Sequence, residues 1–240
     1  MTPFGRSAFD TTRWSLVTLA ADRCSPHASL ALERLCQAYW YPLYAHVRRK
    51  GVSPADAQDF TQEFFCRLIS KNYLGTVDRT RGSFRSFLLA SINHLMADEW
   101  NKAHALKRGG SRQIFSLEAV DAEGRFIQEP AVAESPEKAF DRQWAVTLLE
   151  RALARVRQDF EATGYRAQFE LLKRFLSEVA GEGDYAALAG PLGLEPGGVA
   201  VAVHRLRLRY REAVRAEIAQ TVATGSELKA EMRHLFSSLD

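Results

Sequence analysis

The sequence predicts an all-α protein made of two small helical domains joined by a linker. Three observations carry this. Apolar residues recur at three- and four-residue spacing along most of the 240 positions, no Asn-Gly or Asp-Gly pair joins two alternating runs, and the charge reverses sign midway. Between 79 and 112, seven cations face two carboxylates. Between 118 and 141, seven carboxylates face two cations, so the net charge of +3 hides a basic stretch followed by an acidic connector.

A first helix is expected over 10–21, through Trp14 and Val17. Ser25 and Pro26 open a second as cap and first turn, and it runs through Leu32, Leu35, Tyr39 and Tyr44 to Gly51, bent at Pro42. Ser53-Pro54-Ala55-Asp56 repeats the start signal, with Asp56 three residues after Ser53 as in a capping box, and this third helix ends near Asn72. Gly82-Ser83 opens a fourth that fades at Gly109-Gly110. Its Phe84, Phe87, Leu88 and Leu95 read as core by their spacing, with Ile92 and Trp100 further along.

Residues 109–136 hold Gly, Ser, Glu and Pro with no sustained period and are read as the linker. Helices resume at Ser135-Pro136, with Trp144, Leu148, Leu149, Ala152, Val156 and Phe160 on one side, and Gly164 breaks the run. Another passes through Phe169, Leu172, Leu176 and Val179. The expected boundaries are therefore 1–27 for an N-terminal extension with a short helix, 28–108 for the first domain and 109–136 for the linker. The second domain covers 137–224, and 225–240 is an amphipathic C-terminal extension with Leu228, Met232, Leu235 and Phe236 on its stripe.

Within the second domain, a short apolar helix over 184–190 capped by Asp184, a Gly-containing turn and a helix started by Pro196 form a helix-turn-helix. Val199, Val203, Leu206 and Tyr210 make the inward stripe of its second helix, and His204, Arg205, Arg207, Arg209 and Arg211 lie off it. That pattern points to DNA, the alternative being a helical hairpin with a solvated basic face.

Composition narrows the class. Cys24, Cys36 and Cys66 have no paired-ligand spacing, which suits reduced thiols in a cytoplasm and gives neither a disulfide framework nor a zinc site. No apolar run approaches a membrane span and the opening residues lack a signal-peptide core, so a cytoplasmic protein with no membrane partner is expected. On the third helix Asp56, Asp59, Gln62 and Glu63 form an acidic strip, while Phe60, Phe64 and Leu68 form a separate inward stripe. Such a strip fits a partner surface, a solvated face, or carboxylates serving a metal or acid–base chemistry. No histidine, nucleophile or phosphate loop accompanies it, so the reading is a protein with no catalytic residues, metal or cofactor, and not an enzyme.

The stretch Asp56-Ala-Gln-Asp-Phe-Thr-Gln-Glu-Phe-Phe-Cys-Arg-Leu-Ile69 resembles the second conserved region of bacterial RNA polymerase sigma factors. The residues from Gly82 to Trp100 are similar to that family's promoter-melting helix, and the helix-turn-helix resembles its fourth region. Two domains with only a linker between them resemble the extracytoplasmic-function subgroup, group IV, and Phe9-Asp-Thr-Thr-Arg-Trp14 with the chain's length resembles a divergent, planctomycete-like branch. The resemblance covers roughly residues 28–218.

It implies an alternative sigma factor that binds core RNA polymerase, recognises and melts promoter DNA and starts transcription, with room for an anti-sigma factor or other regulator. Asp56, Asp59, Gln62, Glu63 and Arg67 would grip the β′ clamp helices, and the β flap would be a further part of the polymerase contacted. Arg79, Arg81 and Arg85 would follow phosphates, the loop 73–81 would hold a flipped base, and Asn93, His94, Trp100 and Lys102 would meet the minus-ten element. The minus-35 element would meet Gly197, Gly198, Ala200 and Val201 at the helix front, with base reading by His204 and Arg205 and phosphate contacts by Arg207, Arg209 and Arg211.

The chain departs from the family pattern in two places. Arg155-Val-Arg-Gln-Asp-Phe-Glu-Ala-Thr-Gly-Tyr165 stands where members carry Leu-Pro-x-x-x-Arg, and the four small residues at the recognition front offer no bidentate hydrogen bonds. Two other functions keep a place: a sigma-like interaction or signalling module without promoter activity, and a helix-turn-helix repressor.

Overall fold

A computed structural model describes residues 15–22, 24–70, 74, 83–105, 117–128 and 134–239. Among the described residues the architecture is all-α, with no strand. The helices are α1 (Ser15–Ala21), α2 (Ala28–Arg49), α3 (Pro54–Ser70), α4 (Phe84–Ala105), α5 (Leu117–Gln128), α6 (Pro136–Ala162), α7 (Arg166–Leu172), α8 (Asp184–Leu192), α9 (Pro196–Ala219) and α10 (Gly225–Ser237), with a 3-10 helix at Lys173–Leu176. The chain divides into two compact units. One is Met1–Thr147 with Ile218–Asp240, the other Leu148–Glu217.

The first unit is centred on α2. Leu35, Tyr39, Leu43 and Tyr44 of α2 and Phe84, Leu88 and Ile92 of α4 are buried, and the Tyr39 and Phe84 rings meet edge-on with centroids 5.5 Å apart. Pro42 sits inside α2, which runs on through it and stops at Lys50–Gly51, where Gly51 takes φ +84°, a conformation that costs L side chains about 1 kcal/mol or more. Ser53 starts α3 as expected. Its Oγ accepts from the Asp56 N–H at 3.2 Å and donates to the Asp56 carboxylate at 2.7 Å. Ser83 and Ser135 cap α4 and α6 in the same way, each hydroxyl accepting a backbone N–H three residues on.

The linker and boundary expectations are corrected in this unit. The linker expected over 109–136 contains α5, which packs on α2 through Glu123 and Arg125. The division between units falls inside α6 and inside α9 rather than in that segment. The C-terminal extension is helix α10, and its fully buried Leu235 belongs to the first unit. Thr224 caps α10, accepting from the Glu227 N–H at 3.2 Å, while Phe236, expected on the inward stripe, stays exposed.

In the second unit Phe160, Phe169, Leu172 and Phe175 are buried together with Val199, Val203 and Leu206 of α9. The inward stripe read for α9 is therefore the buried one, with Tyr210 part-buried at its end. The axes of α8 and α9 are bent by 93° across a short turn, the geometry of a helix-turn-helix. Gly193 makes that turn possible. It stands at φ +64° so that the Leu194 N–H reaches back to the Ala189 carbonyl at 2.9 Å.

Two local expectations fail in the second unit. The helix drawn through Leu176 and Val179 ends at Leu176, and Val179 is 93 % exposed. Gly183, not Asp184, is the α8 cap residue, and the Asp184 carboxylate instead accepts from the Gly181 N–H at 2.7 Å.

Candidate nucleic-acid interface

On α3, Asp59 and Glu63 are exposed and Gln62 is half-buried, while Phe64 and Leu68 are buried on the opposite stripe. The amphipathic spacing thus leaves an acidic strip facing outward. Asp56 is exposed, its carboxylate taken by Ser53. Arg67 differs from the other four. Its Nε donates to Glu63 at 2.5 Å and its Nη2 to Glu99 of α4 at 3.1 Å, so it couples two helices, and those bonds raise its pKa. Glu99 was not anticipated, because thirty-two residues of separation carry no periodic signal.

The cations expected along α4 fare differently. Arg85 is buried, and its guanidinium donates to Asp141 of α6 and, at 3.4 Å, to Glu231 of α10, with the Trp144 ring centroid 5.1 Å away. The expectation that it follows phosphates is corrected. A guanidinium enclosed by two carboxylates and an indole is already neutralised. Asn93, expected at the minus-ten element, is turned inward. Its Oδ1 lies 2.8 Å from Nε2 of the fully buried His46, whose Nδ1 lies 3.0 Å from the Pro136 carbonyl.

His94 keeps its exposed place and lines, with Phe64, Arg67 and Asp98, a groove of about 270 Å³ between α3 and α4. Arg79, Arg81 and most of the loop 73–81 lie outside the described residues, as do the side chains of Trp100 and Lys102.

At the front of α9, Gly197 and Val201 are exposed and Ala200 is half-buried. Gly198 faces Leu194, whose Cβ is 3.4 Å from where a Gly198 Cβ would stand. His204, Arg205 and Arg211 are exposed. Arg209 holds its guanidinium 5.1 Å from the Phe160 ring centroid. Arg207, also exposed, donates to the Phe175 and Glu178 backbone carbonyls within the unit. Gly197, Val201 and Arg205 border a groove of about 540 Å³ shared with Tyr165 and Gln168. Tyr165, 59 % exposed, escaped the sequence reading, although its place after the helix-breaking Gly164 marked a turn.

Among the described residues, no group of three or more His, Cys, Asp or Glu is placed to hold a metal, and no single helix is long and apolar enough to cross a membrane. Residues 35–105, spanning most of α2 through α4, match the family model for sigma-70 region 2. The segment carrying the acidic strip is thus similar to sigma-70 region 2, which supports a sigma factor role in RNA polymerase binding and promoter melting. Sigma factors carry out no chemistry of their own. Comparisons with curated proteins and with solved structures give no match.

Proposed function

We propose that this protein is an alternative sigma factor of the extracytoplasmic-function kind, acting in the cytoplasm on core RNA polymerase and promoter DNA. Asp59, Gln62 and Glu63, with Asp56 beside them, form the contact with the β′ clamp helices. Arg67 holds Glu63 in place. The segment 73–81 with His94, Trp100 and Lys102 of α4 meets the separated strands at the minus-ten element, where cations follow phosphates and flat side chains stack on bases. The helix-turn-helix of the second unit meets the minus-35 element, and the β flap contacts the same unit. The observation that carries this reading is the region 2 match over a helix whose exposed face is the acidic strip.

Competition for core polymerase tests it. Replacing Asp59 and Glu63 with Ala should weaken binding against a second sigma factor while circular dichroism stays unchanged. Undiminished competition would remove the strip from the interface.

A second reading, an interaction module without promoter activity, is favoured by the engagement of Arg85, Asn93 and Arg207 inside the chain. Run-off transcription with reconstituted polymerase separates the two, since the module would bind a partner and start no RNA.

A further inference from the structure

Arg207 lies midway along α9, one turn after the buried Val203, and is itself exposed, so its place is fixed by hydrogen bonds and not by burial. Its Nε donates to the Phe175 carbonyl at 2.8 Å and its Nη2 to the Glu178 carbonyl at 3.0 Å. These are carbonyls at and just past the end of the 3-10 helix, where the backbone leaves acceptors unsatisfied and the local dipole is negative. A planar guanidinium can span two such acceptors at once, and a lysine ammonium, as a single point charge, cannot reproduce the fork.

The same connection is fixed at its far end. Asp184 accepts from the Gly181 N–H at 2.7 Å and from Arg174 Nη2 at 2.9 Å, while the buried Phe175 ring meets Tyr185 of α8 edge-on at 5.6 Å. One turn further along α9, the Tyr210 hydroxyl donates to the Leu149 carbonyl of α6 at 3.2 Å. Side chains of α9 therefore clamp backbone on two neighbouring elements. The connection 177–183 is held between α9 and the start of α8.

We infer that Arg207 is a positioning residue: it sets the angle at which α9 presents its front to the DNA major groove, and it is not one of the phosphate contacts. This rests on the reading of α9 as the DNA-recognition helix. The phosphate-contacting cations of this helix are then Arg209 and Arg211.

The test uses the full-length protein with Arg207→Lys, Arg207→Ala and, as control, Arg211→Ala. Three quantities are measured: the salt dependence of binding to a mixed-sequence 30-base-pair duplex, the preference recovered from a randomised duplex library, and amide hydrogen exchange over 175–185. Arg211→Ala should lower the log-log salt slope by about one unit. Both Arg207 variants should leave the slope at the wild-type value, reduce discrimination between preferred and random sequences roughly tenfold, and speed exchange at 177–183.

A merely structural loss would lower affinity for all duplexes alike and leave the preference intact. A slope lowered by about one in Arg207→Ala and restored in Arg207→Lys would make Arg207 a phosphate contact and overturn the proposal, as would unchanged exchange in both variants. If the wild-type protein binds no duplex, the reading of α9 fails by itself, and the exchange measurement still decides whether Arg207 holds the turn.

Discussion

Arg48 on α2 and Glu123 on α5 meet as a fork on a carboxylate, Nε to Oε2 and Nη2 to Oε1, both at 2.9 Å. The Tyr44 hydroxyl donates to the same carboxylate, and Phe126 lies under the Arg48 guanidinium with its centroid 4.8 Å away. The hydrogen bonds from Arg48, with help from Tyr44, hold the Glu123 carboxyl below the usual carboxylate range. A carboxyl whose pKa falls on folding adds stability that is fully present above its unfolded value, near 4.3, and is lost as pH drops through the lower folded value. Docking of α5 should therefore weaken below about pH 4. Glu123→Gln should remove that acid-dependent part and cost roughly 1–3 kcal/mol at neutral pH, read from thermal melts between pH 3 and 7. Equal acid sensitivity in mutant and wild type would mean that another group governs it.

That contact also explains why α5 was illegible in the sequence. Gly124 and four carboxylates between 118 and 129 look like a connector, and the partners that hold it, Arg48, Tyr44 and Tyr41, lie some eighty residues earlier. Local signals sufficed where the stabilising contacts are local. Ser53 and Asp56, the Val199, Val203 and Leu206 stripe, and Gly193 could each be read within a dozen residues. The acidic strip was legible because it is a property of one helix, whereas the fates of Arg85 and Asn93 depended on α6, α10 and His46, which no periodicity reveals.

Arg85 should behave as a core residue. With Asp141, Glu231 and Trp144 around it, Arg85→Ala takes the guanidinium from two part-buried carboxylates, leaving Asp141 beside His234, and should lose about 3–5 kcal/mol of stability. Truncation after Thr224 removes Glu231 and the fully buried Leu235 together and should lower the melting temperature by at least as much as Leu235→Ala alone, which itself should cost about 2–5 kcal/mol of stability. A phosphate-contacting Arg85 would give the opposite pattern, an unchanged melting temperature with a smaller salt slope for DNA binding. Promoter activity gained on truncation, with no loss of melting temperature, would make α10 a brake instead of a brace.

Tyr39 sets an alkaline limit. It is fully buried, and burial pushes its hydroxyl up to about 12 from an ordinary value of 10. Because the neutral form is favoured in the fold, the stability it contributes is complete below pH 10 and falls as pH rises toward 12, by about 1.4 kcal/mol per pH unit. Urea titrations at pH 9, 10 and 11 should show stability falling in the wild type, with a slope that steepens toward that limit. Tyr39→Phe, which cannot ionise, should show less of it, and an identical slope in the two proteins would assign the alkaline loss elsewhere.

On the proposed reading of α9 as the DNA-contacting helix, its work should divide between two arginines on one flank. Arg205 is exposed beside Val201 and Tyr165 at the α9 front, where a guanidinium can reach a base edge, whereas Arg209, one turn on, rests over Phe160 and carries its charge farther from that front. A bidentate arginine–guanine contact discriminates by about 1–3 kcal/mol at one position, while a phosphate contact weakens all sequences alike and removes about one unit of salt slope. Arg205→Ala should therefore flatten the preference at one base of a minus-35 library and leave the others alone. Arg209→Ala should lower binding to every library member, lose about one unit of slope, and cost roughly 0.5–1 kcal/mol of stability through its lost cation–π contact. If Arg209→Ala shifts the preferred sequence while Arg205→Ala weakens all sequences equally, the reading residue lies one turn further along the helix, at the Phe160 contact.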